Sequence, residues 1–181
     1  ENSTDVFNPD FLSNWERFNT IRFMDWIETN ASPVRNWQSS SGDYTELTAP
    51  KENDYSYARK GVPVEVMVAL ANRLHANPWF CMPHESDNNY NTQFATYVRN
   101  NLTSDLKAFV EYSNETWNSG GYPFTVQYNY VNNQGLQAWP GMQPWEAGHK
   151  YHARRSGQIW TLWEQVYGDA NSIILVMGGF V

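Results

Sequence analysis

Short apolar runs alternate along this chain with longer segments of helical periodicity, and this alternation is typical of βα units that build a parallel sheet. Each apolar run has about the length of a buried strand. The predicted strands are residues 20–26, 79–84, 108–114 and 172–177. The predicted helices are residues 9–18, 64–74, 89–102 and 149–167, the third of them capped by Asp87 or Asn88. The sequence therefore predicts an α/β fold.

Two long segments, residues 29–61 and 117–148, do not fit this simple repeat. Both are rich in Ser, Asn, Gly, Pro and Trp, and both follow a predicted strand, so each leaves the carboxyl end of the sheet. Long loops without regular structure are usually functional or disordered. We expect functional loops here, because the loops at that face of a barrel-type α/β fold build the active site.

The number of strands matters for the architecture. Four strands and four helices make half of an eight-stranded barrel, which typically takes around 250 residues. For a complete protein, the alternative is an open four-stranded parallel sheet with helices on both faces. The last apolar run lies almost at the end of the sequence, and a helix precedes the first predicted strand. We therefore expect residues 1–181 to form a single partial (β/α)8 TIM-barrel domain, about strands 2–5, whose sheet edges are completed by missing polypeptide or by another chain.

Charge excludes several classes of partner. The net charge of −7 and the absence of a Lys/Arg cluster argue against nucleic acids and anionic membranes, and no apolar run approaches the roughly 18 to 20 residues of a membrane-spanning helix. Cys81 is the single cysteine, so an intrachain disulfide is excluded. His149 and His152 lack a third metal ligand nearby and no glycine-rich phosphate loop occurs, so we expect neither a metal nor a cofactor.

Amides and aromatic rings are abundant: the chain contains 20 Asn and nine Trp. Amides hydrogen-bond hydroxyl groups and indole faces stack on apolar C–H surfaces, so this composition suits a carbohydrate-binding cleft, although many of the tryptophans are expected to serve packing.

The segment FVEYSNETWN, residues 109–118, leads an apolar strand directly into Asn114 and Glu115 at its carboxyl end. It resembles the strand-four signature of the retaining glycoside hydrolases of the large (β/α)8 clan that contains many cellulases and mannanases. The similarity is greatest to the cellulase-like or "cellulose-binding" bacterial subgroup, which the flanking segments IRFMDW (21–26), LANRL (70–74) and PWF (78–80) also resemble. The resemblance covers about residues 7–181.

The resemblance implies a β-glycosidase that acts on a β-linked polysaccharide or oligosaccharide, with Glu115 as the general acid/base and Asn114 as a contact to the sugar 2-hydroxyl. Retaining hydrolysis needs a second carboxyl group about 5 to 5.5 Å from the first. In the clan this nucleophile follows strand seven, so we expect it beyond the C-terminus and expect the 181 residues alone to be inactive. Local alternatives are Asp25, Glu85, Asp87 and Glu111. Asp25 and Glu85 would also serve as caps or ion-pair partners, and Glu111 is expected to point away from the cleft.

Other residues are assigned to substrate binding. His84 and Arg22 match positions that contact the substrate or hold the nucleophile in the clan, with a buried histidine and a plain salt bridge as the alternatives. Tyr112 and Trp117 would supply the apolar surroundings that keep an acid protonated. We expect Asn114, Glu115, His84 and Asp25 to face one cleft, roofed by aromatic residues of the segment 117–145.

Two classes of function remain open. One is a secreted or extracellular O-glycosyl hydrolase. The other is a non-catalytic protein that keeps the fold, either for saccharide binding or for a structural or interaction role. A second carboxyl group within reach of Glu115 would separate them.

Overall fold

The structure is a computed structural model that describes residues 6–37 and 60–179. These residues form an α/β fold with four strands and five α-helices. The strands are β1 (Thr20–Arg22), β2 (Asn77–Met82), β3 (Ala108–Tyr112) and β4 (Ile173–Val176). The helices are α1 (Pro9–Trp15), α2 (Val64–Leu74), α3 (Asn88–Asn101), α4 (Phe124–Ala138) and α5 (Pro144–Tyr167), with a 3₁₀ turn at Ala170–Ser172. Within these residues, no helix combines the length and the hydropathy needed to cross a membrane.

The four strands form one parallel sheet whose order, β1-β2-β3-β4, follows the chain. Parallel crossovers are right-handed in nearly all proteins, so a sheet in sequential order carries its helices on one face. A doubly wound sheet instead reverses its strand order and has helices on both faces. The observed topology is compatible with a section of an α/β barrel.

The hydrophobic core lies between the sheet and the helices. Phe80 of β2 is completely buried, and its ring lies 5.0 Å from the ring of Phe94 in α3 and 6.2 Å from that of Trp163 in α5. Residues of the opposite parity occupy the other face, where Trp79 and Phe109 stack on each other at 5.8 Å. The two faces of the sheet therefore differ: one is packed on helices and the other carries aromatic and charged residues.

All four predicted strands are present, but each prediction extends beyond the observed carboxyl end of its strand. The residues that follow each strand continue its sequence pattern into the next turn, so the pattern does not mark the end of the strand. The cap of α3 is confirmed: the Asp87 side chain accepts a hydrogen bond from the backbone N–H of Tyr90 at 2.6 Å. Part of the first long segment, residues 38–59, lies outside the described residues.

The expectation of an irregular loop at residues 117–148 is wrong, because this segment contains α4 and the first turn of α5. The helix α4 is rich in Asn and Gln, so no clear apolar stripe marks it in the sequence. It is stabilised by packing against α5, where Gly135 and Gly148 let the two backbones approach closely. A Cβ atom at Gly135 would overlap the Ala147 carbonyl, and one at Gly148 would overlap the Asn132 side chain.

Candidate functional site

An open cleft lies at the carboxyl end of the sheet, between the segments that follow β3 and β4 and the first half of α5. Its volume is about 1000 Å³. It is lined by residues 115–120, Tyr128, Trp145, His149, His152, Ala153 and residues 177–179. The cleft therefore occupies the face at which barrel-type folds place their active sites.

Glu115 enters this cleft from a strained turn. Ser113 and Glu115 both have a positive φ, of 59° and 43°, in the left-handed region that non-glycine residues rarely adopt. The Glu115 carboxylate accepts a hydrogen bond from Asn118 Nδ2 at 2.8 Å, and the Glu115 carbonyl accepts one from the Asn118 backbone N–H at 2.9 Å. Strain of this kind persists where the surroundings hold it and is concentrated at functional sites.

The cleft is lined in part by the aromatic side chains of Trp117, Tyr128 and Trp145, and Glu115 is the one carboxylate among the described lining residues. Trp145 is 52% exposed, and its ring meets that of His149 edge-on at 5.8 Å. His152 lies deeper, with its Nδ1 atom 2.9 Å from the Thr116 hydroxyl. Burial, and secondarily the proximity of His149, lowers the pKa of His152 to about 4, so its imidazole is neutral at neutral pH.

An ion pair lies on the face of the sheet opposite the helices. Arg22 Nη2 donates to Glu111 Oε2 at 2.8 Å and to Asn114 Oδ1 at 3.0 Å. The same Glu111 oxygen accepts from Trp79 Nε1 at 2.9 Å and from the Cys81 thiol at 3.3 Å. Burial, together with the Glu111 carboxylate, raises the pKa of the Cys81 thiol well above its usual value, so the thiol stays protonated. Glu111 thus holds Arg22 and is not among the residues that line the cleft.

The structure brings only some of the predicted site residues together. Glu115 and Trp117 line the cleft. Asn114, which precedes Glu115 in the turn, accepts a hydrogen bond from Arg22. Asp25 does not line the cleft; it is an exposed residue in the turn of residues 24–28 that follows β1.

His84 and Tyr112 also lie away from the cleft, buried on the helix face of the sheet. The Tyr112 hydroxyl donates to the His84 carbonyl at 2.9 Å. The ring of His84, 1% exposed, packs edge-on against Tyr130 of α4 at 5.2 Å. Because α4 covers His84 and Asp25 is not among the lining residues, the expectation that both share one cleft with Glu115 is not met.

Sequence reasoning missed several residues of this region. Asn118 follows Glu115 by three residues, the spacing of a turn, so its contact with Glu115 could have been predicted from the sequence. Asn30 accepts hydrogen bonds from Asn114, 84 residues away, and from Gln127, 97 residues away, so no local pattern could reveal this contact.

Among the described residues, no group of three or more His, Cys, Asp or Glu side chains is arranged to hold a metal ion. Comparison with protein-family models, with curated proteins and with solved structures finds no match for this chain.

Proposed function

We propose that this chain is part of a retaining glycoside hydrolase-like (β/α)8 barrel that acts on an uncharged β-linked polysaccharide, with Glu115 as the general acid/base. The observation that carries the proposal is the Glu115 carboxylate, held by a left-handed turn at the carboxyl end of β3 and directed into an open aromatic cleft. The sequential order of the parallel strands supports the barrel architecture.

The lining of the cleft supports a neutral saccharide as the substrate. Trp117, Tyr128 and Trp145 offer rings on which a pyranose can stack, while Asn118 and Ser119 offer hydrogen-bonding groups for hydroxyls. No Lys or Arg is among the lining residues of the described structure, so this part of the lining offers no Lys or Arg partner to a uronate or a sulfated sugar.

In the proposed reaction, the Glu115 carboxylic acid donates its proton to the glycosidic oxygen while the bond from that oxygen to the anomeric carbon breaks. A second carboxylate attacks the anomeric carbon and forms a glycosyl ester. The Glu115 carboxylate then takes a proton from a water molecule, whose oxygen displaces the ester and releases the sugar with its configuration retained. As the resemblance implies, we assign the nucleophile to a later strand of the barrel than those of this chain.

A non-catalytic saccharide-binding protein is the second candidate. It is favoured by the fact that, within the described structure, Glu115 is the one carboxylate that lines the cleft. A single carboxylate can orient a sugar by hydrogen bonds but provides no covalent route for retaining hydrolysis.

Binding tests the part shared by both candidates. Titration of the 181-residue chain with neutral β-linked gluco- and manno-oligosaccharides, followed by NMR or calorimetry, is expected to show saturable binding. Trp145→Ala should weaken it by about three- to tenfold, the size of an aromatic contact. The matched control is Trp15→Ala, because Trp15 is also an exposed tryptophan but lies in α1, outside the cleft. Equal effects of the two variants, or no binding at all, would contradict a saccharide site here.

Activity separates the two candidates. The 181-residue chain is expected not to hydrolyse β-glycosides, whereas a natural chain that also carries the nucleophile should do so with retention. In that longer chain, Glu115→Gln should lower kcat by about 10²- to 10⁴-fold on substrates with poor leaving groups. Full activity of Glu115→Gln would refute the acid/base role, and a longer chain that binds sugar without turnover would identify the non-catalytic alternative.

A further inference from the structure

A buried network of amide side chains lies beneath the turn that carries Glu115. Gln127 of α4 is 0% exposed, and its Nε2 donates to Asn30 Oδ1 at 2.7 Å and to the Asn114 carbonyl at 3.2 Å. Its Oε1 accepts from the backbone N–H of Ala31 at 3.1 Å. Asn114 Nδ2 donates to the same Asn30 oxygen at 3.1 Å, which closes the network.

These hydrogen bonds connect two strained turns. Ala31 has a φ of 55°, in the left-handed region, and Asn114 stands between Ser113 and Glu115, which share that conformation. Gln127 is bonded to the backbone of both turns, so it links the segment after β1 to the segment after β3. Left-handed non-glycine residues keep their conformation only where the surrounding contacts hold it.

The orientation of the Gln127 amide is determined by its partners. Its oxygen faces an N–H donor, the Ala31 amide, and its nitrogen faces two oxygen acceptors. A flipped amide would set donor against donor and acceptor against acceptor, so the fully buried Gln127 side chain would lose all three hydrogen bonds. A side chain used only to fill space would not need this arrangement.

We infer that Gln127 is a positioning residue that holds the turn of residues 113–116, and with it the Glu115 carboxylate, in the orientation that faces the cleft. The assignment of an acid/base to that turn rests on the proposed function, whereas the link from Gln127 to the turn does not. A helix that the sequence pattern did not reveal thereby contributes to the candidate site.

Two substitutions at this position test the inference. Gln127→Glu keeps the side-chain shape and the acceptor for Ala31, but sets a carboxylate oxygen against the two acceptors. Gln127→Leu removes all three hydrogen bonds. The matched controls are Gln134→Glu and Gln134→Leu, because Gln134 lies two turns further along α4, only partly buried and away from the turn.

The readouts are the three-bond couplings between the amide and Cα protons of Ser113 and Glu115, which report φ, and the affinity for a neutral β-linked oligosaccharide. The Gln127 variants are expected to change both couplings and to weaken binding about tenfold, the effect of losing one or two buried hydrogen bonds. The Gln134 variants should change neither. A fall in thermal stability of the Gln127 variants with unchanged couplings and affinity would reduce Gln127 to a core residue and overturn the inference.

One outcome concerns the proposed function alone. If the unmodified chain binds no oligosaccharide, the proposed function fails, while the couplings still decide whether Gln127 holds the turn. If neither Gln127 variant folds, hydrogen exchange in the unmodified chain replaces them. The side-chain amide protons of Gln127 should exchange at least about tenfold more slowly than those of Gln134, and equal rates would overturn the inference.

Discussion

At the scale of single residues, burial without hydrogen-bond partners is the feature with the clearest consequences. Both ring nitrogens of His84 are buried and have no hydrogen-bond partner. Burial lowers the pKa of His84 to about 4. Burial is also the main reason why the pKa of His152 is lowered to about 4. Both imidazoles are therefore neutral in the folded protein over a pH range in which a solvated histidine becomes charged.

The folded state should accordingly lose stability in acid. Between a pH of about 6.5 and 4 the unfolded chain binds protons at these histidines that the folded chain does not, so the free energy of unfolding falls as the pH falls. Each histidine contributes up to about 3 kcal/mol to that decline. Urea unfolding at several pH values measures the slope. The slope should become shallower in His84→Phe, which loses no side-chain hydrogen bond, and an unchanged slope would contradict the prediction.

At the scale of secondary-structure elements, the contact between α4 and α5 is the part of the fold that depends most on small residues. Gly135 and Gly148 stand where the two helices meet, and a side chain at either would overlap the neighbouring helix. Gly157, further along α5, has open space where a Cβ atom would lie. Glycine is therefore required at the first two positions by close approach, but not at the third.

Alanine substitutions should reveal this difference. Gly135→Ala is expected to destabilise the fold by about 1–3 kcal/mol through overpacking. Gly157→Ala should raise stability by up to about 1 kcal/mol, because alanine favours a helix interior more than glycine does. Denaturant unfolding of both variants measures the two changes. Similar effects would mean that α4 does not pack on α5 through Gly135.

The same contact explains how far the sequence alone could predict the elements. Strands such as residues 108–112 could be located because a run of buried apolar residues is a local signal. The helix α4 could not be located in this way, because Gly135 and the amides around it form no local apolar pattern. Gly135 is explained only by the close contact with α5. At the site, Glu115 and Trp117 were predicted from the chain segment in which they lie. The sequence left open whether His84 is buried or contacts substrate, because the answer depends on α4, which the sequence pattern did not reveal.

At the scale of the whole molecule, β1 and β4 are the edge strands of the sheet that the described residues form. Each of them pairs with a neighbouring strand on one side only. Near the β4 edge, Leu175 is 38% exposed and Met177 is 48% exposed. An apolar edge strand with unpaired backbone groups is a template for association.

The isolated 181-residue chain is therefore expected to self-associate, and Leu175→Lys should reduce this association, since a charge on an edge strand opposes further pairing. The matched control is Val126→Lys, because Val126 is a similarly exposed apolar residue, at 37%, but lies on α4. Sedimentation velocity over a wide range of concentrations measures the effect. A monomer at all concentrations, or equal effects of the two lysines, would contradict the role of the β4 edge.

The left-handed conformation of Glu115 also opposes the backbone preference at this position to the side chain that the proposed function requires. Glycine adopts that backbone without strain, so Glu115→Gly should be more stable than Glu115→Ala by about 1 kcal/mol, as equilibrium unfolding can measure. Under the proposed function, the carboxylate of Glu115 is kept against this preference of the backbone. In descendants that no longer need the carboxylate, genetic drift at this codon should run toward glycine and asparagine, the residues that tolerate the turn.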